Sequence, residues 1–141
     1  MKYHIYVFSN GKIASHYKKA ADEYIRRLSR YCSVKLIQLK KKKDWTRYWD
    51  KEQEKILVTA GKDSMTSEKF SSWLRDKEIS TGGKMAFFIA DEEGYPEDGL
   101  TGMGSGLNLS AFQMTPGMTG VVLLEQIYRG YRIMNGHPYH K

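Results

Sequence analysis

Two histidines, a tyrosine and a lysine crowd the last seven residues, Asn135-Gly-His-Pro-Tyr-His-Lys141, directly after an apolar-periodic stretch at 120–134. The imidazoles of His137 and His140 can exchange protons near neutral pH, and the Tyr139 phenol can both donate and accept a hydrogen bond. The two histidines stand three apart, a spacing also found in zinc sites. Structural zinc takes four ligands, however, and the single cysteine, Cys32, is remote in sequence, so no metal site is expected. A serine-nucleophile triad is unsupported because no Gly-x-Ser-x-Gly elbow occurs.

A glycine-rich segment, Ala90 to Gly106, invites a nucleotide-binding reading through Gly99, Gly102, Gly104 and Gly106. A dinucleotide fingerprint needs its glycines between a strand and a helix N-terminus. Here a short strand follows, and Asp91, Glu92, Glu93, Glu97 and Asp98 would repel phosphate. Charge is more telling. Residues 1–49 hold 13 Lys and Arg against 3 Asp and Glu, while the remaining 92 hold 10 against 13. Such asymmetry points to an anionic partner, of which nucleic acid is the commonest. Lys40, Lys41, Lys42 and Lys43 form its peak, read as a loop, and the polar side of the helix carrying Arg26 and Arg27 is its natural companion in one basic surface.

Several elements must position these groups. Residues 2–9 read as a strand, 33–40 as a second, 56–61 as a third and 84–90 as a fourth, the last apolar enough to be covered on both faces. A short strand at 107–110 completes the set. Between them, Tyr17, Ala21, Tyr24, Leu28 and Tyr31 mark one helix face. Residues 44–55 suggest a short helix, and a third helix has its N-cap at Thr66 or Ser67 with Phe70, Trp73 and Leu74 on one side. A turn around Thr115–Gly120 precedes the final helix, whose stripe is Val121, Leu124, Ile127 or Tyr128, Tyr131 and Met134. That helix has more apolar residues than one stripe needs, which suggests a subunit interface. Alternating strands and helices predict a single α/β domain over 1–141 with a mainly parallel sheet. One cysteine, no leader-like N-terminus and no long apolar span suggest a reducing cytoplasm and no membrane association.

Taken together, Leu123-Leu-Glu-Gln-Ile-Tyr-Arg129 and the Pro-Tyr-His-Lys end closely resemble the C-terminus of the ribosomal RNA large-subunit methyltransferase H family, within the SPOUT superfamily of trefoil-knotted methyltransferases. The helices at 16–32 and 66–74 and the strand Leu107-Asn-Leu-Ser110 look like their counterparts in that family, with a shortened region near 40–54. The resemblance implies a knotted α/β homodimer that carries the methyl group of S-adenosylmethionine to N3 of a pseudouridine in 23S rRNA on the ribosome, without DNA. It places the cofactor against Leu57 or Val58, Ala90, and Leu109, Ser110, Ala111, Phe112, Gln113 and Met114. Arg129, Tyr139 and His140 would lie near the target base, the tail reaching the neighbouring subunit's pocket. Arg26, Arg27 and Lys40 to Lys43 would hold rRNA phosphates.

The chain departs from the family pattern at three places. Ala90-Asp91 stand where the pattern has Gly-Gly, Thr115-Pro116 where it has Pro-His, and Gly120 where it has an arginine. These changes lie beside the implied pocket and motivate a second reading, a knotted RNA-binding dimer without cofactor.

Overall fold

A computed structural model describes residues 1–9, 12–90 and 106–137, apart from the Lys42 side chain. The elements are β1 (Lys2–Phe8), α1 (Ser15–Leu28), β2 (Ser33–Leu39), α2 (Lys42–Lys51), β3 (Lys55–Ala60), α3 (Ser67–Ser80), β4 (Lys84–Ile89), β5 (Gly106–Ser110) and α4 (Pro116–Met134). The strands form one sheet in the order β2-β1-β4-β3-β5, and every pairing among the described residues is parallel. This is the α/β architecture expected. The trefoil knot implied by the resemblance turns on the path of residues 91–105, outside the described residues.

Side chains alternate across each strand, so the sheet has two distinct faces. Tyr3, Ile5, Val7, Val34, Ile56, Val58, Phe87, Ile89 and Leu107 point to one face and are covered by α1, α3 and α4 through Ala21, Leu28, Phe70, Leu74, Leu123, Leu124 and Ile127. Tyr6, Phe8, Leu39, Leu57, Ala86, Phe88 and Ala90 point to the other, which α2 covers with Trp45 and Trp49. The central strand β4 is therefore buried on both sides from Met85 to Ile89, which explains its unbroken apolar sequence. Both tryptophans pack on Phe88, with ring centroids 5.1 and 4.7 Å away, and Trp45 also meets Phe8 edge-on at 5.7 Å.

Three expectations need correction. Residues 115–120 are not a turn before the last helix; they are its start. Thr115 caps α4 by accepting from Met118 N at 3.4 Å, and Pro116 occupies the first helical turn, where a missing N–H costs nothing. Lys42 and Lys43 belong to the first turn of α2, so the lysine run is not a plain loop. The apolar surplus of α4 is largely used within the chain, because α4 lies against both α1 and α3. Among its large hydrophobic side chains, Met118 and Ile133 are exposed.

Elsewhere the local chemistry matches the sequence. Thr66 caps α3 by accepting from Lys69 N at 3.2 Å. Gly82 and Gly83, at φ +66° and +89°, supply the left-handed turn that sends the chain from α3 into β4. Cys32 is buried, and burial pushes its thiol up to about 12, so it stays protonated and unreactive.

Two stability outcomes follow. Trp49→Ala should lower unfolding free energy by about 3–5 kcal/mol in urea titrations, because the single helix on that face loses half of its anchor. Gly130 lets α4 approach α3, and Ser71 Oγ donates to its carbonyl at 2.9 Å. A Cβ there would sit 3.4 Å from Leu74 Cδ2, an ordinary contact, so Gly130→Ala should stabilise by roughly 1 kcal/mol from helix propensity. A lowered urea midpoint would show that the interhelical gap has no room for a methyl group.

Candidate functional site

Because all strands run the same way, their C-terminal ends share one edge of the sheet. In open α/β sheets ligands bind beyond that edge. Here β3 ends at Thr59-Ala60-Gly61, flanked by Ala90 after β4 and by Leu109-Ser110 at the end of β5. The register between β3 and β5 slips at Thr59/Ala60, and Gly61 N donates to the Ser110 carbonyl at 3.0 Å. Thr59 Oγ1 donates to Asn108 Oδ1, locking the two strand ends together. A Cβ at Gly61 would lie 2.9 Å from the Asn108 amide nitrogen, so a larger residue there would have to displace the Asn108 side chain.

The residues assigned to the cofactor by resemblance distribute unevenly along this edge. Leu57 and Val58 are both buried inside the sheet, but Leu57 shares the α2-side face with Ala90 whereas Val58 packs with the three-helix core. Leu109 and Ser110 are half-buried, Ala111 and Gln113 are exposed, and Met114 is half-buried. Ser110 Oγ accepts from Phe112 N at 3.0 Å, and the Phe112 ring is 81% exposed. Leu109, Phe112 and Met114 are the large apolar side chains of this segment, and Phe112 and its neighbours Ala111 and Gln113 face solvent.

Arg129 lies on α4 about one turn beyond Gln126, whose Oε1 accepts from Ser67 Oγ at the start of α3 at 2.9 Å. Glu125 clamps it, with Nε to Oε2 at 3.1 Å and a second contact at 3.3 Å. His137, the last described residue, sits at the opposite edge, where Tyr31 shares a 3.0 Å hydrogen bond with its Nδ1. The Tyr31 ring stacks on Tyr131 at 5.2 Å and 7°. Tyr139 and His140 lie outside the described residues. No cluster of metal-ligating side chains occurs among the described residues.

The basic residues are also divided. Lys40, Lys41 and Lys43 follow the C-terminal end of β2 and are exposed on the strand-end edge. Arg26 and Arg27 end α1, next to the start of β2, a strand length of about 23 Å away. They do not form one surface with the lysines. Both contact Glu23, at 2.6 and 2.9 Å, and these bonds hold the Glu23 carboxyl below its ordinary value. Arg27 also lies over Tyr24 and Tyr128, which ties it to α1–α4 packing.

Two polar clusters escaped the sequence reading. The Tyr3 and Tyr131 hydroxyls lie 2.6 Å apart and both lie within hydrogen-bond distance of Glu78 Oε1, so two phenolic protons serve three contacts that join β1, α3 and α4. Burial pushes both phenols above their ordinary value, and Glu78 adds to it. At the start of β1, Glu52 accepts from Tyr6 at 2.6 Å and pairs with His4 Nδ1 at 2.6 Å. His4 and Tyr6 stand at alternate positions of one strand, a signal the sequence does contain; the partner carboxylate, far along the chain, has no local signature.

A five-stranded parallel sheet with helices on both faces, whose strand C-termini share one edge, defines the class as a layered α/β protein. A family model described as "Predicted SPOUT methyltransferase" matches residues 1–140, and the chain belongs to that family. Similar proteins include the ribosomal RNA large subunit methyltransferase H of Clostridium tetani, 35% identical over 97% of this chain and 99% of that protein. The protein of the same name from Clostridium botulinum strain Alaska E43 is 34% identical over the same shares. Ribosomal RNA large subunit methyltransferase H 1 of a Thermoanaerobacter species is 28% identical over the full length of both chains. The Clostridium tetani alignment spans 157 positions against 141 residues here, so that protein carries insertions relative to this chain.

Glu52, at the edge opposite the strand ends, gives the fold an acid signature. Burial opposes its ionisation, but the hydrogen bonds from Tyr6 and His4 outweigh it and hold the carboxyl below its ordinary 4.5. A depressed folded-state pKa stabilises above the unfolded value and is lost as pH falls through the folded one. Glu52→Gln should therefore flatten the fall in stability below about pH 4.5, read as melting temperature against pH. An unchanged acid limb in that variant would contradict the pairing.

Proposed function

We propose that this protein methylates large-subunit ribosomal RNA as a homodimer, with N3 of a 23S pseudouridine as acceptor, and that each active site is built from two copies. The observation that carries this reading is the family match over residues 1–140, with relatives named ribosomal RNA large subunit methyltransferase H over nearly the whole chain. In this reading a second copy brings its Arg129, Tyr139 and His140 to the strand-end edge with Ala90 and Leu109 to Met114. The names of the relatives support the substrate, and the family supports the chemistry.

In this reading S-adenosylmethionine supplies an activated methyl group and is held by Ala90, Leu109, Ser110, Ala111, Phe112, Gln113 and Met114, with Leu57 beneath. The chain's own residues do the rest. His140 accepts the acceptor nitrogen's proton or orients the water that does, and Arg129, fixed by Glu125, stabilises negative charge left on the base. Tyr139 helps align the base and exclude water. Lys40, Lys41 and Lys43 at the same edge hold phosphates.

His140→Ala should reduce methylation of large subunits about 100-fold or more with the melting temperature unchanged. Ala111→Trp, at an exposed position of the strand-end edge, should block cofactor binding in calorimetry. Mixing the two inactive variants should restore methylation, because mixed dimers hold one intact composite site. If the mixture stays inactive while the dimers demonstrably exchange, the two-copy site is wrong.

A further inference from the structure

The sheet face covered by α2 is only partly covered. The helix has ten residues, about 15 Å, and begins at the strand-end edge, so it stops short of the N-terminal ends of strands about 23 Å long. Past its last turn lies an open depression of about 710 Å³, lined by Lys2, His4, Lys35, Lys51, Lys84 and the carboxylates Glu52 and Glu54, among others. Lys35, Lys2 and Lys84 stand on three adjacent strands, β2, β1 and β4. Lys2 and Lys84 are direct cross-strand partners, and Lys35 is the partner of His4.

Like charges directly opposite on neighbouring strands destabilise a sheet. Nothing in the described residues relieves this pair. Lys2, Lys35 and Lys84 are exposed and form no described ion pair. The two carboxylates at the rim are committed elsewhere: Glu52 to His4 and Tyr6, and Glu54 to Lys77 at 2.9 Å. Helix-end electrostatics explain Lys51 and Lys77, each in the last turn of its helix, where a cation is favoured. That account does not extend to lysines on strands.

We infer that this uncovered face is a second phosphate-binding surface for RNA, with Lys2, Lys35 and Lys84 as its contacts, at the edge opposite the methylation site. The inference rests on the RNA-methyltransferase reading and adds a contact region to it. Three point charges spread over three strands in an open depression suit successive phosphates of a polyanion. A single small anion would need converging donors, and the nearby hydroxyls of Ser80 and Thr81 already donate to the Lys77 carbonyl. With Lys40, Lys41 and Lys43 at the other edge, one subunit contacts RNA at two places about a strand length apart.

The test is binding of the full chain to purified large ribosomal subunits across a salt series. Lys2→Gln/Lys35→Gln/Lys84→Gln should weaken binding at low salt and reduce the slope of log affinity against log salt by about one unit per lysine. Calorimetric binding of S-adenosylmethionine should be unchanged. Lys84→Glu separates binding from folding. It turns a repulsive neighbour of Lys2 into an attractive one, so its melting temperature should hold or rise while subunit binding falls. If wild type binds and methylates subunits but the triple variant keeps the full slope and affinity, this inference fails and the methyltransferase reading stands. If wild type shows no salt-dependent affinity for subunits, both fail. If wild type prefers anionic phospholipid vesicles and the triple variant loses only that, the surface belongs to a lipid and the RNA assignment is overturned.

Discussion

The common direction of the five strands decides where everything else can be. A parallel neighbour cannot be reached by a tight turn, so each crossover must carry the chain back across the sheet, here mostly on a helix. Strand C-termini therefore gather with helix N-termini on one edge, and helix C-termini gather on the other. The first edge carries the small residues Ala60, Gly61 and Ala90 at the strand ends. The second receives the end of α4, where Tyr31 and the Tyr3–Tyr131–Glu78 cluster fix the chain just before its last residues.

The two faces of the sheet divide their work unequally. Three helices cover one face, and their mutual contacts bury Leu123, Leu124, Ile127 and Leu74 completely. One short helix covers the other, and it achieves this with large aromatic groups: Trp45 and Trp49 stack at 5.9 Å and both reach Phe88. Aromatic side chains bury the most area per residue, so two of them can seal what would otherwise need a longer helix. What α2 does not reach is left polar, with His4 and Lys35 on strands whose next inward positions are Tyr6 and Ile37. The change from aromatic to charged along a single strand face follows the end of the helix.

Much of this was legible beforehand, and the misses have identifiable causes. Lys84–Ile89 could hardly be anything but a central strand, since six residues without alternation require cover on both sides. Thr66 announced α3 because a capping hydroxyl acts locally. Thr115-Pro116-Gly117 was misread because proline and glycine also punctuate turns, and only the Thr115 hydroxyl on Met118 N separates a cap from a turn. The pairing of Arg26 and Arg27 with the lysine run failed for a different reason. Closeness in sequence ignored that β2 lies between them and carries the chain across the whole sheet. The Thr59–Asn108 lock and the His4–Glu52 pair join residues 49 and 48 positions apart, which no local pattern encodes.

The departures from the family pattern acquire a local meaning once the backbone is placed. Ala90 shares its face with Phe88 and Leu57, and it is 9% exposed, so its methyl group is absorbed by the α2-side core. Thr115-Pro116 supply a cap and a first turn, which a proline–histidine pair would provide differently. Gly120 is buried, but a Cβ there would make only ordinary contacts, 3.8 Å from Val7 and 3.9 Å from Leu36, so close packing does not account for the glycine. Ala90 and Thr115-Pro116 thus have packing and capping roles in this chain, while Asp91 lies outside the described residues. Substitutions with such structural work to do are not in themselves signs of a lost ligand.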